Sequence, residues 1–510
     1  MYSRVRTCTL QGLEGHVVDV ETDLARALPK FSIVGLPDAA IRESSERVRA
    51  AIKNSGFDFP MIRITINLSP ASLRKDGTQM DLAIAVSILT AEDGANSRHE
   101  DFVFLGELSL DGTLNPILGA LPMVIALREK GFKKIVVPYE NRMECAVIED
   151  VEIYPAHSLK EVMEFLRGEV EIPRERCDHE AIHSDDVHDV DFSDIRGQEQ
   201  VKRAMEIAAA GGHNLLMIGS PGCGKSMAAK RLPTILPPMT FEEAVEVTKI
   251  YSVAGLLEGH QLLTKRPFRA PHHTSSAVSL IGGGSNPRPG EISLSHHGVL
   301  YLDELPEFSR HVLEVMRQPM EDHTIHISRA NARVEYPANF MLIAAMNPCP
   351  CGYFGSTDKE CTCSAQSITK YLGKISHPLL DRIDLHIEMR PVSYEKMTAS
   401  PKEETSADIR ARVVKAREIQ RARFIDTGIL SNSLIPDRLI TTYCALDAQG
   451  ETVMKKAFET YHFSGRSYHK VLKVARTIAD LAGEEKIEVP HLLEAIRYRA
   501  VEAKYWGATS

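Results

Sequence analysis

The sequence predicts a multidomain α/β protein, and three observations lead to this fold class. The chain has 510 residues, which is too long for one ordinary hydrophobic core. Between 195 and about 390, strand-like apolar runs alternate with helical patterns, which is typical of a parallel sheet covered by helices. From about 405 to the end, the apolar residues recur at helical spacing only.

An acidic segment divides the chain. Residues 174–194 contain eight Asp or Glu against two Arg, with almost no apolar periodicity. Such a segment cannot bury a face, so we expect an exposed linker. The predicted parts are an N-terminal α+β domain, the linker, a parallel-sheet core, and a helical linker with a C-terminal lid, at 1–170, 171–194, 195–395 and 396–510.

The N-terminal part alternates strands with amphipathic helices. The runs MIRITINL, FVFLGELSL and KKIVVP are typical of strands. Asp38 is placed to cap a helix whose apolar residues recur at helical spacing until Gly56.

Composition excludes several classes of protein. No apolar run approaches the ~18 to 20 residues of a membrane-spanning helix, and the N-terminus has no apolar signal core. Nine unevenly scattered cysteines favour a reducing compartment, so we expect a cytoplasmic protein that makes no membrane contact. The net charge of −9 leaves a nucleic-acid partner open, because a basic patch inside a pore can sit on an acidic protein.

A phosphate-binding loop follows the apolar run NLLMI and precedes a helical pattern. Its glycines let backbone N–H groups surround phosphates at a helix N-terminus. Lys225 is expected to reach the β- and γ-phosphates of ATP, and Ser226 to ligate Mg²⁺. The predicted nucleotide-binding residues are Gly219, Ser220, Pro221, Gly222, Cys223, Gly224, Lys225 and Ser226.

Two further strands are expected to supply catalytic groups. VLYLDE ends in Asp303, a predicted Mg²⁺ ligand, and Glu304, which is placed to polarise the attacking water. FMLIAAMNP ends in Asn347, which either orients that water or is a turn residue at a strand end. The presence of Glu304 favours hydrolysis over nucleotide binding alone.

Two arginines are candidates for contact with the γ-phosphate. Arg382 lies between carboxylates in SHPLLDRIDLHIEM, where it makes a structural ion pair or acts as an arginine finger toward a neighbouring subunit. Arg466 opens a helix in HFSGRSYHKVLKVAR and is a candidate second phosphate sensor.

IHISRANARVEYP alternates apolar and polar residues on both sides of a polar tip, which predicts a β-hairpin. Arg329 and Arg333 either grip DNA phosphates from this tip or form an ordinary solvated turn. The basic helix pattern ADIRARVVKAREIQRARF is either a second DNA contact or a solvated face.

Four cysteines form two CxC pairs, Cys349 with Cys351 and Cys361 with Cys363. Two such pairs can surround a tetrahedral structural Zn²⁺. A redox role and unligated thiols remain alternatives, although pairing within a CxC is geometrically awkward. The site lies between Asn347 and Arg382, where a metal ion can brace a long loop.

These motifs resemble the AAA+ ATPases of the magnesium-chelatase/MCM branch, and nearly the whole chain resembles the YifB/ComM family. The resemblance is carried by DIRGQEQVKRAMEIAAAGGHNLLMIGSPGCGKS, RPFRAPHHTSS, GGGSNPRPGEISLSHHGVLYLDELPEF, SHPLLDRIDL and VLKVARTIADL. It implies a homohexameric ring with a helix-2 insert, a pre-sensor-1 hairpin and a lid. The implied roles are sensor 1 for Asn347, the finger for Arg382 and sensor 2 for Arg466.

The N-terminal part resembles the Lon-protease fold in SLRKDGTQMDLAIAVSIL and GELSLDGTLNPILGALPMVIALREKGFKKIVVP. The positions of the Ser–Lys dyad of that fold align with Gln79 and with Leu121 or Pro122, which cannot perform nucleophilic catalysis. The resemblance therefore implies a non-proteolytic domain.

The function implied is that of an ATP- and Mg²⁺-dependent motor on branched or single-stranded DNA. By resemblance, it is a helicase that promotes branch migration of recombination intermediates, as in natural transformation, with recombination proteins as further partners. The alternatives are the ATPase subunit of a metal-chelatase complex and an ATPase that remodels proteins.

Overall fold

A computed structural model describes residues 1–93, 97–177, 189–257, 259, 261–284, 287–329, 332–356, 359–392, 394 and 403–507. Within these residues, no helix has both the length and the apolar character needed to cross a lipid bilayer.

The N-terminal part is built on a seven-stranded mixed sheet in the order β3-β4-β2-β1-β5-β8-β9. The pairs β1–β2 and β2–β4 are antiparallel, and the other neighbours are parallel. β6 and β7 form a separate small hairpin. The strands are β1 Tyr2–Gln11, β2 Glu14–Ala25, β3 Lys30–Val34, β4 Arg63–Ser69, β5 Phe102–Phe104, β6 Glu107–Leu108, β7 Leu114–Asn115, β8 Lys134–Pro138 and β9 Glu152–Ala156.

Helices cover this sheet. Asp38 caps the first of them by accepting a hydrogen bond of 2.8 Å from the Ile41 N–H, as the sequence predicts. That helix ends at Asn54, just before Gly56. The helices are α1 Ala39–Asn54, α2 Asp81–Asp93, α3 Ala120–Glu129, α4 Arg142–Ala146 and α5 Leu159–Arg167.

The central part contains the predicted parallel sheet, with five strands in the order β11-β14-β17-β10-β18. The carboxyl ends of β10, β14 and β17 therefore meet at one edge, where the phosphate-binding loop begins. The strands of this part are β10 Leu215–Gly219, β11 Phe268–Arg269, β12 Gly282–Gly283, β13 Arg288–Pro289, β14 Val299–Leu302, β15 Thr324–Arg329, β16 Ala332–Pro337, β17 Met341–Met346 and β18 Leu385–Met389.

Helices of this part flank the sheet and connect its strands. They are α6 Glu199–Gly211, α7 Lys225–Arg231, α8 Phe241–Ala254, α9 Ala277–Ile281, α10 Glu291–Leu294, α11 Arg310–Val315, α12 Pro319–Asp322, α13 Ala365–Leu372 and α14 His377–Leu380.

The C-terminal part is helical, as predicted, and it packs onto the sheet domain. Arg499, whose side chain is buried, donates hydrogen bonds to the carbonyls of Leu380 and Ile383, at 3.3 and 2.7 Å. Lys470 forms an ion pair with the buried Asp384. The helices are α15 Ser406–Arg423, α16 Ile440–Tyr443, α17 Ala448–Tyr461, α18 Gly465–Ala482 and α19 Val489–Trp506.

The ends of the acidic segment are anchored, unlike the wholly exposed linker that its composition predicts. Phe192 is fully buried, and its N–H donates a 2.8 Å hydrogen bond to Ser406 Oγ at the start of α15. At the other end, the Glu175 N–H bonds to the Ile153 carbonyl at 2.9 Å. The middle of the segment, 178–188, lies outside the described residues, and the domain boundaries themselves stay predictions.

The N-terminal part contacts the central part through α3, α4 and α8. The Gly119 N–H donates to the Ser252 carbonyl at 3.1 Å, and Ser252 Oγ donates to Glu144 Oε2 at 2.6 Å. Leu13, in the β1–β2 turn, packs against the apolar cluster that contains Val334 of the β15–β16 hairpin.

Candidate nucleotide-binding site

The phosphate-binding loop connects the buried strand β10 to helix α7 and is shaped by glycines. Gly222 and Gly224 adopt positive φ angles of 81° and 94°, which residues other than glycine rarely adopt. A Cβ added to Gly222 would meet no atom within 4 Å, so the space beside this residue is open. Backbone N–H groups of such a loop at a helix N-terminus can bind phosphate.

Lys225 lies at the centre of this loop. Its ammonium donates to the carbonyls of Gly219 and Ser220 at 2.7 and 3.0 Å, and to Asn347 Oδ1 at 3.1 Å. The structure therefore brings the predicted phosphate-binding lysine and the predicted sensor asparagine into direct contact, although 122 positions separate them in the chain. A γ-phosphate bound by Lys225 would lie within reach of Asn347.

Ser226 and Asp303, the two predicted magnesium ligands, lie next to each other. Ser226 Oγ donates to Asp303 Oδ2 at 2.7 Å, so a hydroxyl and a carboxylate oxygen lie adjacent beside the phosphate loop. Hydroxyl, carboxylate and phosphate oxygens are the ligands that Mg²⁺ prefers, so this pair fits the ion. Tyr301, which the sequence does not single out, donates to Ser226 Oγ at 3.2 Å and orients it.

Glu304 follows Asp303 in a left-handed backbone conformation with φ of 51°. This turn directs the two carboxylates differently, since Asp303 Oδ1 accepts the Glu304 N–H at 2.9 Å while the Glu304 side chain is 55% exposed. His273 Nδ1 lies 3.3 Å from Glu304 Oε2. No local sequence motif indicates this contact, because 31 positions separate the two residues.

Cys223 belongs to the loop but is not set up as a reactive thiol. Its side chain is largely buried, and this burial raises its pKa above the ordinary value of a cysteine. A raised pKa keeps the sulfur protonated at neutral pH, so the residue serves as a small side chain that fits the loop.

The two candidate arginines converge on one carboxylate. Arg382 Nη2 lies 2.5 Å from Glu321 Oε1, and Arg466 Nη2 lies 3.5 Å from the same oxygen. Arg382 Nη1 also donates to the Pro378 carbonyl at 2.6 Å. The structure thus contains an ion pair at Arg382, which was one of the two sequence-based alternatives, and it places Arg466 beside it at the start of α18.

The four cysteines of the CxC pairs come together. Their Sγ atoms lie within 4.8 Å of one another, with separations of 3.3 Å for Cys349–Cys351, 3.7 Å for Cys349–Cys361 and 3.6 Å for Cys351–Cys361. A tetrahedral Zn²⁺ with Zn–S bonds of ~2.3 Å separates its sulfurs by roughly 3.8 Å. Backbone N–H groups, that of Tyr353 foremost, lower the pKa of the Cys351 thiol to about 6, whereas contacts with the neighbouring sulfurs raise the pKa of the Cys361 and Cys363 thiols.

The cysteine loop abuts the phosphate loop. A Cβ added to Gly352 would lie 2.5 Å from Pro221 Cδ, so the two loops are in tight contact there. On its other side, Phe354 packs edge-on against Tyr505 of α19 with ring centroids 6.3 Å apart. The cluster therefore lies between the nucleotide site and the C-terminal helices.

The predicted hairpin is present as β15 paired with β16 in antiparallel register, with Ile327 opposite Val334. The inward residues are buried, whereas Arg333 is exposed near the tip. The backbone of Arg329 belongs to β15, but its side chain lies outside the described residues.

The arginine side chains of the basic helix α15 are not all solvated. Arg412 pairs with Glu206 at 2.5 Å, Arg417 donates to the Ala209 carbonyl at 3.1 Å, and Arg423 donates to Asp480 at 2.8 Å. These three arginines fasten α15 to α6 and α18, and they give little support to a DNA contact.

The positions expected for a protease dyad hold no nucleophile. Gln79 is buried and donates to the Asp76 carbonyl at 2.8 Å, and Leu121 is fully buried. The nearby Lys75 is also fully buried, and its ammonium donates to the carbonyls of Gly35 and Leu68 at 2.9 and 2.8 Å.

Comparison with known proteins shows similarity along the whole chain. The family models "Subunit ChlI of Mg-chelatase", "Magnesium chelatase, subunit ChlI" and "Magnesium chelatase, subunit ChlI C-terminal" match residues 20–141, 191–397 and 403–499. Competence protein ComM of Haemophilus influenzae is 42% identical over 505 residues, which cover 98% of this chain and 97% of that protein. The uncharacterized protein YifB of Escherichia coli is 39% identical over 98% of this chain and 97% of its own.

A shorter match involves a protease. The archaeal Lon protease of Thermococcus kodakarensis is 27% identical over 159 residues, which cover 29% of this chain and 25% of that protein.

Proposed function

The chain belongs to the YifB/ComM family of magnesium-chelatase-type AAA+ ATPases, and from this premise we propose that it is a homohexameric, ATP-driven motor that moves along DNA. We propose branch migration of recombination intermediates as its task. The observation that carries the proposal is that Lys225, Ser226, Asp303 and Asn347 come together at the phosphate-binding loop.

In the proposed reaction, Lys225 and the loop N–H groups hold the phosphates of ATP, while Ser226 and Asp303 hold Mg²⁺. The ion, when bound, supplies positive charge that offsets charge developing on the phosphate oxygens. Glu304 polarises the attacking water, and Asn347 orients it beside the γ-phosphate.

The site is completed by a neighbouring subunit. We assign Arg382 and Arg466 to the γ-phosphate of the adjacent copy, because an arginine that stabilises the transition state from outside is the usual last component of such sites. In the proposed ring, the next subunit supplies these arginines, so isolated chains should hydrolyse ATP slowly.

The DNA part of the proposal has separate support. The β15–β16 hairpin exposes Arg333 near its tip, and cations at a pore hairpin bind phosphates without regard to sequence. The name of the relative, competence protein ComM, supports natural transformation as the process that we propose for this chain.

We also propose that Cys349, Cys351, Cys361 and Cys363 hold a structural Zn²⁺. The separations of their sulfurs are close to those of a tetrahedral thiolate site. Four protein ligands leave no open position on the ion, so the role is to brace the loop beside the phosphate site.

A branch-migration assay tests the motor proposal. Purified protein with ATP and Mg²⁺ should move three- and four-way DNA junctions, and Glu304→Gln should not. Equal movement by both proteins, or movement by neither under conditions where wild type hydrolyses ATP, would contradict the proposal.

A further inference from the structure

Arg382 and Arg466, which we propose act on the nucleotide of a neighbouring subunit, both contact Glu321. No sequence motif indicates this shared partner. Glu321 Oε1 lies 2.5 Å from Arg382 Nη2 and 3.5 Å from Arg466 Nη2. Glu321 lies in the short helix α12.

The three residues come from three different elements. Glu321 lies three positions before Thr324, where the first strand of the hairpin begins. Arg382 follows helix α14 of the sheet domain, and Arg466 is the second residue of helix α18 in the C-terminal part. One carboxylate oxygen therefore joins the base of the hairpin, the sheet domain and the lid.

Electrostatics explains what this oxygen does. Two guanidinium groups drawn toward one point repel each other, and a shared carboxylate offsets that repulsion. Arg382 is only 9% exposed and is also fixed by the Pro378 carbonyl. Arg466 is 58% exposed, so Glu321 supplies the fixed partner that draws its guanidinium toward Arg382.

We propose that Glu321 is a positioning residue for the trans-acting arginines. It gathers Arg382 and Arg466 into one cationic cluster for the γ-phosphate of the neighbouring subunit, and it links the position of the hairpin to that cluster. The inference rests on the proposed function, since it requires that these arginines act on a neighbour's nucleotide.

The test is the variant Glu321→Gln, which keeps the size of the side chain and removes its charge. We expect kcat for DNA-stimulated ATP hydrolysis to fall about 10- to 100-fold, while KM for ATP and the midpoint of thermal unfolding stay near wild type. A matched control is Glu314→Gln, which removes a local 2.5 Å ion pair with Arg317 in the same region and should keep wild-type turnover.

A double-mutant cycle separates positioning from a general structural effect. If Glu321 acts through the two arginines, Glu321→Gln has a smaller effect on kcat in the Arg382→Ala background than in wild type, and none when Arg466 is also replaced by Ala. A loss that is the same in both backgrounds would overturn the inference, and so would wild-type kcat for Glu321→Gln.

The outcomes also distinguish this inference from the proposed function. If Arg382→Ala itself turns over ATP at the wild-type rate, the trans-acting site is wrong and Glu321 has nothing to position. If Arg382→Ala is slow while Glu321→Gln is as fast as wild type, the inference about Glu321 alone fails.

Discussion

The side chain of Glu304 is exposed beside the phosphate loop, and the backbone of this residue adopts a left-handed conformation. Glu304→Gln keeps the shape of this side chain but cannot take a proton from water, so we expect kcat for ATP hydrolysis to fall at least about 100-fold. ATP binding should remain, because Lys225 and the loop are unchanged. Turnover and equilibrium binding of a fluorescent ATP analogue measure the two effects, and wild-type turnover would exclude Glu304 as the base.

The residues of the nucleotide site differ in how far they could be predicted. Lys225, Ser226 and Asp303 lie within local motifs, because a loop or a strand end carries their chemistry over a few consecutive positions. His273 and Glu321 have no such motif. Their contacts with Glu304 and Arg382 depend on how separate elements pack, which the spacing of residues in one segment does not encode.

At the scale of elements, the four-cysteine loop is the feature whose role is easiest to test. We expect the purified protein to contain one Zn²⁺ per chain, and Cys361→Ser or treatment with a chelator to remove it. Because Gly352 of this loop contacts Pro221 of the phosphate loop, losing the metal should weaken ATP binding about tenfold, or ~1.4 kcal/mol.

Metal analysis and ATP titration check this prediction, with Cys177→Ser as the control. Cys177 lies outside the cluster, so this variant should keep both zinc and affinity. Protein that carries no zinc when purified without chelator, or Cys361→Ser with full zinc, would contradict the metal assignment.

The hairpin provides a second test at this scale. Arg333→Ala removes one exposed cation near the tip, so it should weaken DNA binding and lower the slope of log affinity against log salt by about one. ATP hydrolysis without DNA should be unchanged. Lys53→Ala, which removes an exposed cation from α1 in the N-terminal part, is the matched control. Identical salt slopes for wild type and Arg333→Ala would exclude a phosphate contact there.

Elements with simple periodicity could be predicted, and those with mixed environments could not. Alternation of Ile325, Ile327 and Val334 with polar residues identified the hairpin because one face of it is buried. The environment of the basic helix α15 could not be predicted, since Arg412 and Arg423 pair with acidic residues of other helices. A charge pattern shows that charges exist but not which of them are paired.

At the scale of the whole molecule, the central sheet domain carries the phosphate loop and Arg382, and the C-terminal lid carries Arg466. The parallel sheet was predictable because buried strands and helices alternate in the sequence. The contact between the N-terminal part and α8 was not, because it includes single polar contacts such as Ser252 with Glu144. Burial raises the pKa of the Glu144 carboxyl, and nothing in its local sequence shows that burial.

In the proposed ring, one subunit holds each nucleotide and the next subunit completes the site. Glu304→Gln and Arg382→Ala damage opposite sides of the same interface, so each variant alone should be inactive. In a ring that contains both, an Arg382→Ala subunit keeps Glu304 and can receive Arg382 from a Glu304→Gln neighbour. Random mixing in equal amounts leaves about a quarter of the interfaces intact.

The most direct measurement is therefore the ATP turnover of the two variants mixed after subunit exchange. Our account predicts recovery to about a quarter of the wild-type rate, from parents that are each nearly inactive. A mixture that remains as slow as its parents after exchange, or an Arg382→Ala protein that is fully active by itself, would contradict a site shared between subunits.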